Sequence, residues 1–143
     1  WLPEMEFVQD DLLASKGPCK HQGPEEMSGK CAPCSRRLAT IVSDSDFLLI
    51  DNGQKIREAH LWAKFVPLGG VALVHDNTDT VWDKPYDAVF AAQGFTKIFT
   101  DIAHSVGTHL RAWRRDGPGD VGFWTEGHID AVKDACEPFG YHG

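Results

Sequence analysis

The segment that most constrains this fold covers residues 43–76, because it concentrates the apolar residues of the chain in three short runs. The runs cover residues 46–50, 61–67 and 70–74. Each is bounded by polar residues, glycine or proline, which is typical of a β-strand. The segment therefore predicts three neighbouring strands of a small sheet.

Two histidines stand at the ends of these predicted strands. His60 precedes the second run, and His75 follows the third. Adjacent antiparallel strands can place two such residues side by side on one sheet. The segment therefore predicts a pair of neighbouring imidazoles, one able to act as a base and the other to orient it, and such a pair needs a nucleophile.

The size and composition of the chain indicate one folded domain. Its 143 residues are 42% hydrophobic and include five tryptophans and eight phenylalanines, which is enough for an ordinary core. The formal net charge of −7 argues against a large nucleic-acid surface, although a local basic patch is compatible with it. No apolar run predicts a membrane span or a signal segment. The four cysteines are too few and too uneven for a disulfide framework, so we expect a reducing compartment.

The clearest helical pattern in the sequence lies between Phe95 and Trp113. Apolar residues recur there with a period of about 3.6 over roughly five turns. A Gly-Pro-Gly sequence at residues 117–119 then interrupts the pattern. We therefore expect one long helix across the sheet. The sequence also predicts a loop over residues 77–86, a short helix within residues 31–42 and an extended piece over residues 120–124.

The amino-terminal part of the chain contains a candidate metal site. Cys19 and His21 form a C-x-H pair, and Cys31 and Cys34 form a C-x2-C pair. A structural zinc ion takes four nitrogen or sulfur ligands, and a C-x2-C pair supplies two of them from a tight turn. The pattern predicts a small structural zinc clip. The alternative is three ordinary reduced thiols and a surface histidine.

Two arrangements of nucleophile and base remain open. In the first, Cys136 is the nucleophile, His60 is the base and His75 orients it. In the second, Cys31 opens a helix as the nucleophile and His128 is the base. Both arrangements follow from the need of a thiol for a neighbouring base. The competing interpretation is that each histidine is a structural or surface residue. The second arrangement and the zinc clip exclude each other, because both need the same thiolate.

A resemblance to a known family rests on two motifs. The first, DFLLIDNGQKIREAHLWAKFVPLGGVALVHD, resembles the H-box of the lecithin:retinol acyltransferase and phospholipase A/acyltransferase group. It matches through the acidic-apolar run 46–50, through His60 with Trp62-Ala63 after one extra residue, Leu61, and through the closing His75. The second, DACEPF around Cys136, resembles the Asn-Cys-Glu-His-Phe motif of the same group. The order His, His, Cys is that of the circularly permuted branch of the NlpC-type papain-like superfamily.

The same two motifs occur in the H-box/NC 2A proteins of picornaviruses, and the chain is most similar to the kobuvirus (Aichi virus-like) type. Its start at Trp1 fits release from a polyprotein. The resemblance implies a non-structural protein that supports viral RNA replication in the host-cell cytoplasm, at replication membranes. The implied partners are other viral non-structural proteins and host factors, with RNA as a further class, and any membrane association would be indirect.

Two departures from the family motif bear on catalysis. Ala135 stands where the motif has asparagine, and Pro138 stands where it has histidine. These differences favour a non-enzymatic 2A protein, and the resemblance implies that it is not a protease. The first alternative is a thiol acyltransferase or phospholipase using the arrangement around Cys136. The second is a papain-like amidase using the arrangement of Cys31 and His128.

The expected fold class is α+β. It consists of a small antiparallel sheet of about four strands with one long helix packed across it, in the circularly permuted NlpC-type papain-like arrangement that the resemblance implies. Residues 1–42 would form an amino-terminal extension with the zinc clip, and residues 43–143 would form the H-box/NC domain.

Overall fold

The computed structural model describes residues 15–16, 32–33, 35–51, 55–75, 83–102 and 109–119. Helices and strands alternate along most of these ranges. In chain order the elements are β1 (Ser15–Lys16), β2 (Ala32–Pro33), α1 (Arg36–Ser43), β3 (Phe47–Ile50), α2 (Lys55–Trp62), a 3-10 helix (Ala63–Phe65), β4 (Val71–Val74), α3 (Asp83–Ala92), β5 (Phe95–Ile102) and β6 (His109–Arg115).

Four of the strands form one mixed sheet in the order β3-β4-β6-β5. β3 and β4 run parallel, whereas β6 is antiparallel to both β4 and β5. β1 and β2 pair separately as a short antiparallel ladder. A parallel pair needs a crossover connection, and α2 with the 3-10 helix supplies it. The α+β class is confirmed, but the expectation of a purely antiparallel sheet is wrong because of the β3–β4 pair.

Of the three strands predicted at the outset, the first and third are confirmed as β3 and β4, and the second is wrong. Its residues complete α2 and form the 3-10 helix. Ile56, Ala59 and Ala63 recur at helical spacing and enter the hydrophobic core. The predicted second strand is preceded by Lys55, Arg57, Glu58 and Ala59, which are good helix formers. A short apolar run cannot be distinguished from a buried helical segment by periodicity alone.

The long helix expected from Phe95 to Trp113 is wrong, because that segment contains the strands β5 and β6. The register of the two strands shifts between Lys97 and Phe99, so β5 carries a β-bulge. The bulge places Phe95 on the core face and Phe99 on the opposite face. Apolar residues therefore recur at helix-like spacing although the backbone is extended.

Two shorter predictions fall partly within the described residues. The helix expected within residues 31–42 is confirmed as α1, whose N-cap Ser35 accepts a hydrogen bond from the Leu38 amide at 3.2 Å. The prediction that Cys31 opens this helix is wrong, because Ala32–Pro33 is the strand β2 and the helix begins at Arg36. The loop expected over residues 77–86 is wrong from Asp83 onward, where α3 begins. The extended piece at residues 120–124 lies outside the described residues.

The hydrophobic core lies between one face of the four-stranded sheet and the helices α2 and α3. Phe90 of α3 stacks on Trp113 of β6 with the ring centroids 4.2 Å apart, and it meets Phe95 edge-on at 5.4 Å. Gln93 joins the two helices by donating a hydrogen bond to the carbonyl of Ala59 at 3.0 Å. This packing fixes α2, which carries His60, against the sheet.

Candidate functional site

His60 lies in the last turn of α2 and is only 3% exposed. Burial lowers its pKa from 6.5 to about 4, and the positive charge of Lys64 lowers it further. A general base works best when its pKa is near the pH of the reaction. His60 is therefore a neutral side chain of the interior, and the prediction that it begins a strand of the sheet is wrong.

His75 lies just beyond the carboxyl end of β4 and is paired with an aspartate. His75 follows β4 and Asp51 follows β3, and the two meet because these strands are parallel. The Nδ1 atom of His75 is 3.2 Å from Oδ1 of Asp51, and the side chains are 34% and 44% exposed. The His75 amide donates a hydrogen bond to the carbonyl of Ile50 at 3.1 Å, which fixes the register. In the tautomer with its proton on Nδ1, His75 donates to the carboxylate and Nε2 is the acceptor.

Asp51 is a candidate functional residue that the sequence analysis missed. His75 was expected to orient His60, but the structure gives His75 a carboxylate partner. The signal was present in the sequence, because an acidic residue directly follows one apolar run and a histidine directly follows another. Their side chains meet only if the two runs are parallel neighbours, since parallel strands end at the same edge. The assumption of antiparallel strands concealed the pair.

The sheet presents an apolar face on the side away from the core. We call this surface the open face, and define it by residues that share one side of the sheet through the strand register. Phe47, Leu49 and Phe99 remain 54%, 51% and 47% exposed. Exposed apolar residues that are contiguous mark an interaction surface more often than residues that are scattered singly. The open face consists of Phe47, Leu49, Val71, Leu73 and Phe99; the exposed Arg114 lies on the same side of the sheet, and so does Ala112, which is only 5% exposed.

Two further charged side chains are buried near His60. Glu58 is 4% exposed, and burial raises its pKa from 4.5 to about 7, an increase that the charge of Lys55 partly offsets. Lys64 is 1% exposed, and burial lowers its pKa from 10.5 to about 7. Oε1 of Glu58 has no hydrogen-bond partner among the described residues. These groups titrate in a range that makes the fold sensitive to pH.

The remaining predicted site residues lie outside the described residues. They are Cys19, His21, Cys31, Cys34, His128 and Cys136. Within the described ranges, no cluster of three or more His, Cys, Asp or Glu side chains could hold a metal ion. None of the helices in those ranges is long and apolar enough to cross a membrane.

Comparison of the chain with protein-family models, with curated proteins and with solved structures found no match in any of the three. The functional proposal for this chain therefore depends on the geometry of the described residues and on the sequence motifs.

Proposed function

We propose that the chain is a picornaviral 2A protein of the H-box/NC type, similar to the kobuvirus proteins, that supports viral RNA replication by binding other proteins. The observation that carries the non-catalytic part of this proposal is the position of His60. The family resemblance makes this residue the base for Cys136. In this fold it is buried in α2, with a pKa of about 4.

The open face supports the binding part of the proposal. Burying large apolar side chains of a sheet surface against a partner stabilises the complex by about 25 cal/mol for each Å² of apolar area removed from water. Phe47 and Leu49 each keep about half of their surface exposed. The partners we propose are other viral non-structural proteins and host factors at the replication membranes of the host cytoplasm. RNA is the less favoured class because the chain carries a net charge of −7.

A genome or replicon carrying Cys136→Ala tests the proposal. We expect its RNA replication to remain within about twofold of wild type, because no step depends on the thiol. The purified variant should melt at the wild-type temperature, which is the control for folding. A loss of replication beyond about tenfold at unchanged stability would contradict the non-catalytic proposal.

A second candidate, thiol acyl transfer or phospholipase activity, is favoured by the Asp51–His75 pair. In this version His75 is the base, Asp51 orients it and Cys136 is the nucleophile. The thiolate attacks the acyl carbonyl, the ester bond breaks, and the alcohol leaves with the proton that His75 accepted. An acyl-ester probe should then label Cys136 in the wild type but not in His75→Gln. Folded wild-type protein that is not labelled would exclude this candidate. The amidase alternative remains a prediction.

A further inference from the structure

We infer that the outer edge of β3 pairs with the same edge of a second copy of the chain, which forms a weak antiparallel dimer. The inference concerns the backbone at the edge of the sheet, and it does not depend on the proposed function. Three observations support it: the direction of the backbone groups of β3, the bulge on the opposite edge of the sheet, and the symmetry of the exposed residues.

The strand β3 turns part of its backbone away from the sheet. It is the outer strand in the order β3-β4-β6-β5. The Val71 amide of β4 donates a hydrogen bond to the carbonyl of Asp46 at 2.9 Å. Backbone groups alternate along a strand, so the amides and carbonyls of Phe47 and Leu49 point away from β4. Within the described ranges, no strand lies beyond β3 to receive them.

The opposite edge of the sheet is protected, whereas the edge of β3 is not. β5 forms that opposite edge and carries the β-bulge between Lys97 and Phe99. Bulges, prolines and charged side chains keep an edge strand from pairing with another chain. β3 has the sequence Phe-Leu-Leu-Ile and a continuous register with β4, so it contains none of these features. The edge of β3 is therefore the one that can accept a further strand.

The exposed residues of β3 favour a second copy as the source of that strand. Phe47 and Leu49 are 54% and 51% exposed. A two-fold axis between the Leu48 residues of two copies places Phe47 of each copy opposite Leu49 of the other. The backbone groups of these residues point outward, so each opposed pair exchanges both of its hydrogen bonds. Opposed aromatic and aliphatic side chains also stabilise a sheet.

The neighbouring positions are compatible with the same register. It places Asp46 of one copy opposite Ile50 of the other. Asp51 lies opposite Ser45, so no carboxylate faces another carboxylate. A shift of two residues in either direction pairs one of the exposed residues with itself and places the other opposite Ser45 or Asp51. Only the register centred on Leu48 pairs both exposed apolar residues with each other.

The size and the charge of the contact make the dimer weak. Each copy contributes two large exposed side chains, whereas a stable interface buries about 1,600 Å² in total. The formal net charge of −7 on each chain opposes the contact, and salt screens this repulsion. We therefore expect a dissociation constant of about 0.1–1 mM that decreases as the salt concentration rises.

Sedimentation and NMR of the full chain test the inference at concentrations between about 10 µM and 1 mM. We expect the sedimentation coefficient to rise with concentration towards that of a dimer. The amide signals of Phe47 and Leu49 should shift over the same range, and their hydrogen exchange should slow because the new bonds protect them. A chain that stays monomeric throughout this range would overturn the inference.

Proline substitutions provide a matched pair of variants. Leu49→Pro removes an outward amide and keeps the bonds between β3 and β4, so it should weaken the dimer by at least about tenfold. Leu68→Pro is the control, since Leu68 is 65% exposed and lies off the sheet. The Gly70 amide donates to the Pro67 carbonyl at 2.9 Å, and the φ of 84° at Gly69 indicates a type II turn. Such a turn favours proline at its second position, which is Leu68. Equal dimerisation by the two variants would reject the contact.

Two charged variants test the register and the occupant. Phe47→Lys and Leu49→Glu each place a charge opposite an apolar residue in their own dimer, so each alone should dimerise more weakly than wild type. In a mixture, the new lysine faces the new glutamate on one side of the two-fold axis, and the wild-type residues pair on the other side. We expect the mixture to dimerise at least about fivefold more tightly than either variant alone. No gain on mixing would show that the register centred on Leu48 is wrong.

Folding and coverage of the edge complete the test. All variants should keep the wild-type melting temperature, and if Leu49→Pro fails to fold, the mixture of charged variants decides between the same outcomes. Amides of Phe47 and Leu49 that are protected from exchange even at about 10 µM would show that the chain itself covers the edge, which would overturn the inference. Association beyond the dimer would also reject it. None of these results affects the proposed binding function, which is tested by replication.

Discussion

At the scale of single residues, two buried groups of α2 respond to pH in opposite directions. Burial lowers the pKa of His60 to about 4, so its stabilisation is present above about pH 6.5 and is lost as the pH falls towards 4. Burial raises the pKa of Glu58 to about 7, so its stabilisation is present below about pH 4.5 and is lost as the pH rises through 7. Each effect is on the order of 2 kcal/mol after solvent screening. The two largely cancel between pH 4.5 and 6.5.

Single substitutions should expose this cancellation. In Glu58→Gln, the free energy of unfolding should rise more steeply with pH between 4.5 and 6.5 than in wild type, because only the His60 contribution remains. In His60→Gln, it should fall across the same range. Denaturant unfolding at several pH values measures both slopes. Parallel profiles for the wild type and the two variants would show that neither group has a shifted pKa.

The sequence indicates His75 as a candidate site residue but not its partner Asp51. His75 ends an apolar run and stands out in the sequence, but a single aspartate after a strand is common. Only the parallel pairing of β3 and β4 brings the two side chains to 3.2 Å. That pairing depends on α2 and the 3-10 helix as the crossover, whereas the sequence pattern predicts a strand for the last two residues of α2 and for the 3-10 helix.

At the scale of elements, β3, β4 and α1 followed from the sequence because their patterns are short, regular and well bounded. The segment from Phe95 to Trp113 did not, because a β-bulge next to Lys97 gives a strand the apolar spacing of a helix. The turn before β5 also contains a sequence signal for the boundary between a helix and a strand. Gly94 separates α3 from β5 with a φ of 85°, which favours glycine. A glycine there ends a helix and lets a strand begin.

Gly94 should therefore tolerate no side chain. A Cβ at this position would lie 2.2 Å from the carbonyl oxygen of Gly117, in addition to the strained φ. We expect Gly94→Ala to cost at least about 3 kcal/mol of unfolding free energy or to prevent folding. Gly69→Ala is the matched control, because Gly69 has a similar φ of 84° and no atom within 4 Å of the added Cβ. It should cost about 1 kcal/mol. Equal losses in denaturant unfolding would contradict the close approach at Gly94.

At the scale of the whole molecule, the zinc clip predicts a dependence of the amino-terminal part on metal. Metal analysis of the purified chain should find about one zinc per molecule, and a chelator should lower the melting temperature. Cys34→Ser should lose the metal, whereas Cys136→Ser, which is outside the predicted clip, should keep it. A wild-type chain without zinc would end the prediction and leave Cys31 available as a thiol.

The central claim for the whole molecule is that it acts through the open face and not through a thiol. The most direct measurement is RNA replication by genomes carrying Leu49→Asn or Leu68→Asn, with both purified variants shown to keep the wild-type melting temperature. Both substitutions replace an exposed leucine by asparagine; Leu49 lies on the open face and Leu68 lies outside it. The account predicts that replication falls at least about tenfold in Leu49→Asn and stays within about twofold in Leu68→Asn. Equal replication by the two variants would contradict it.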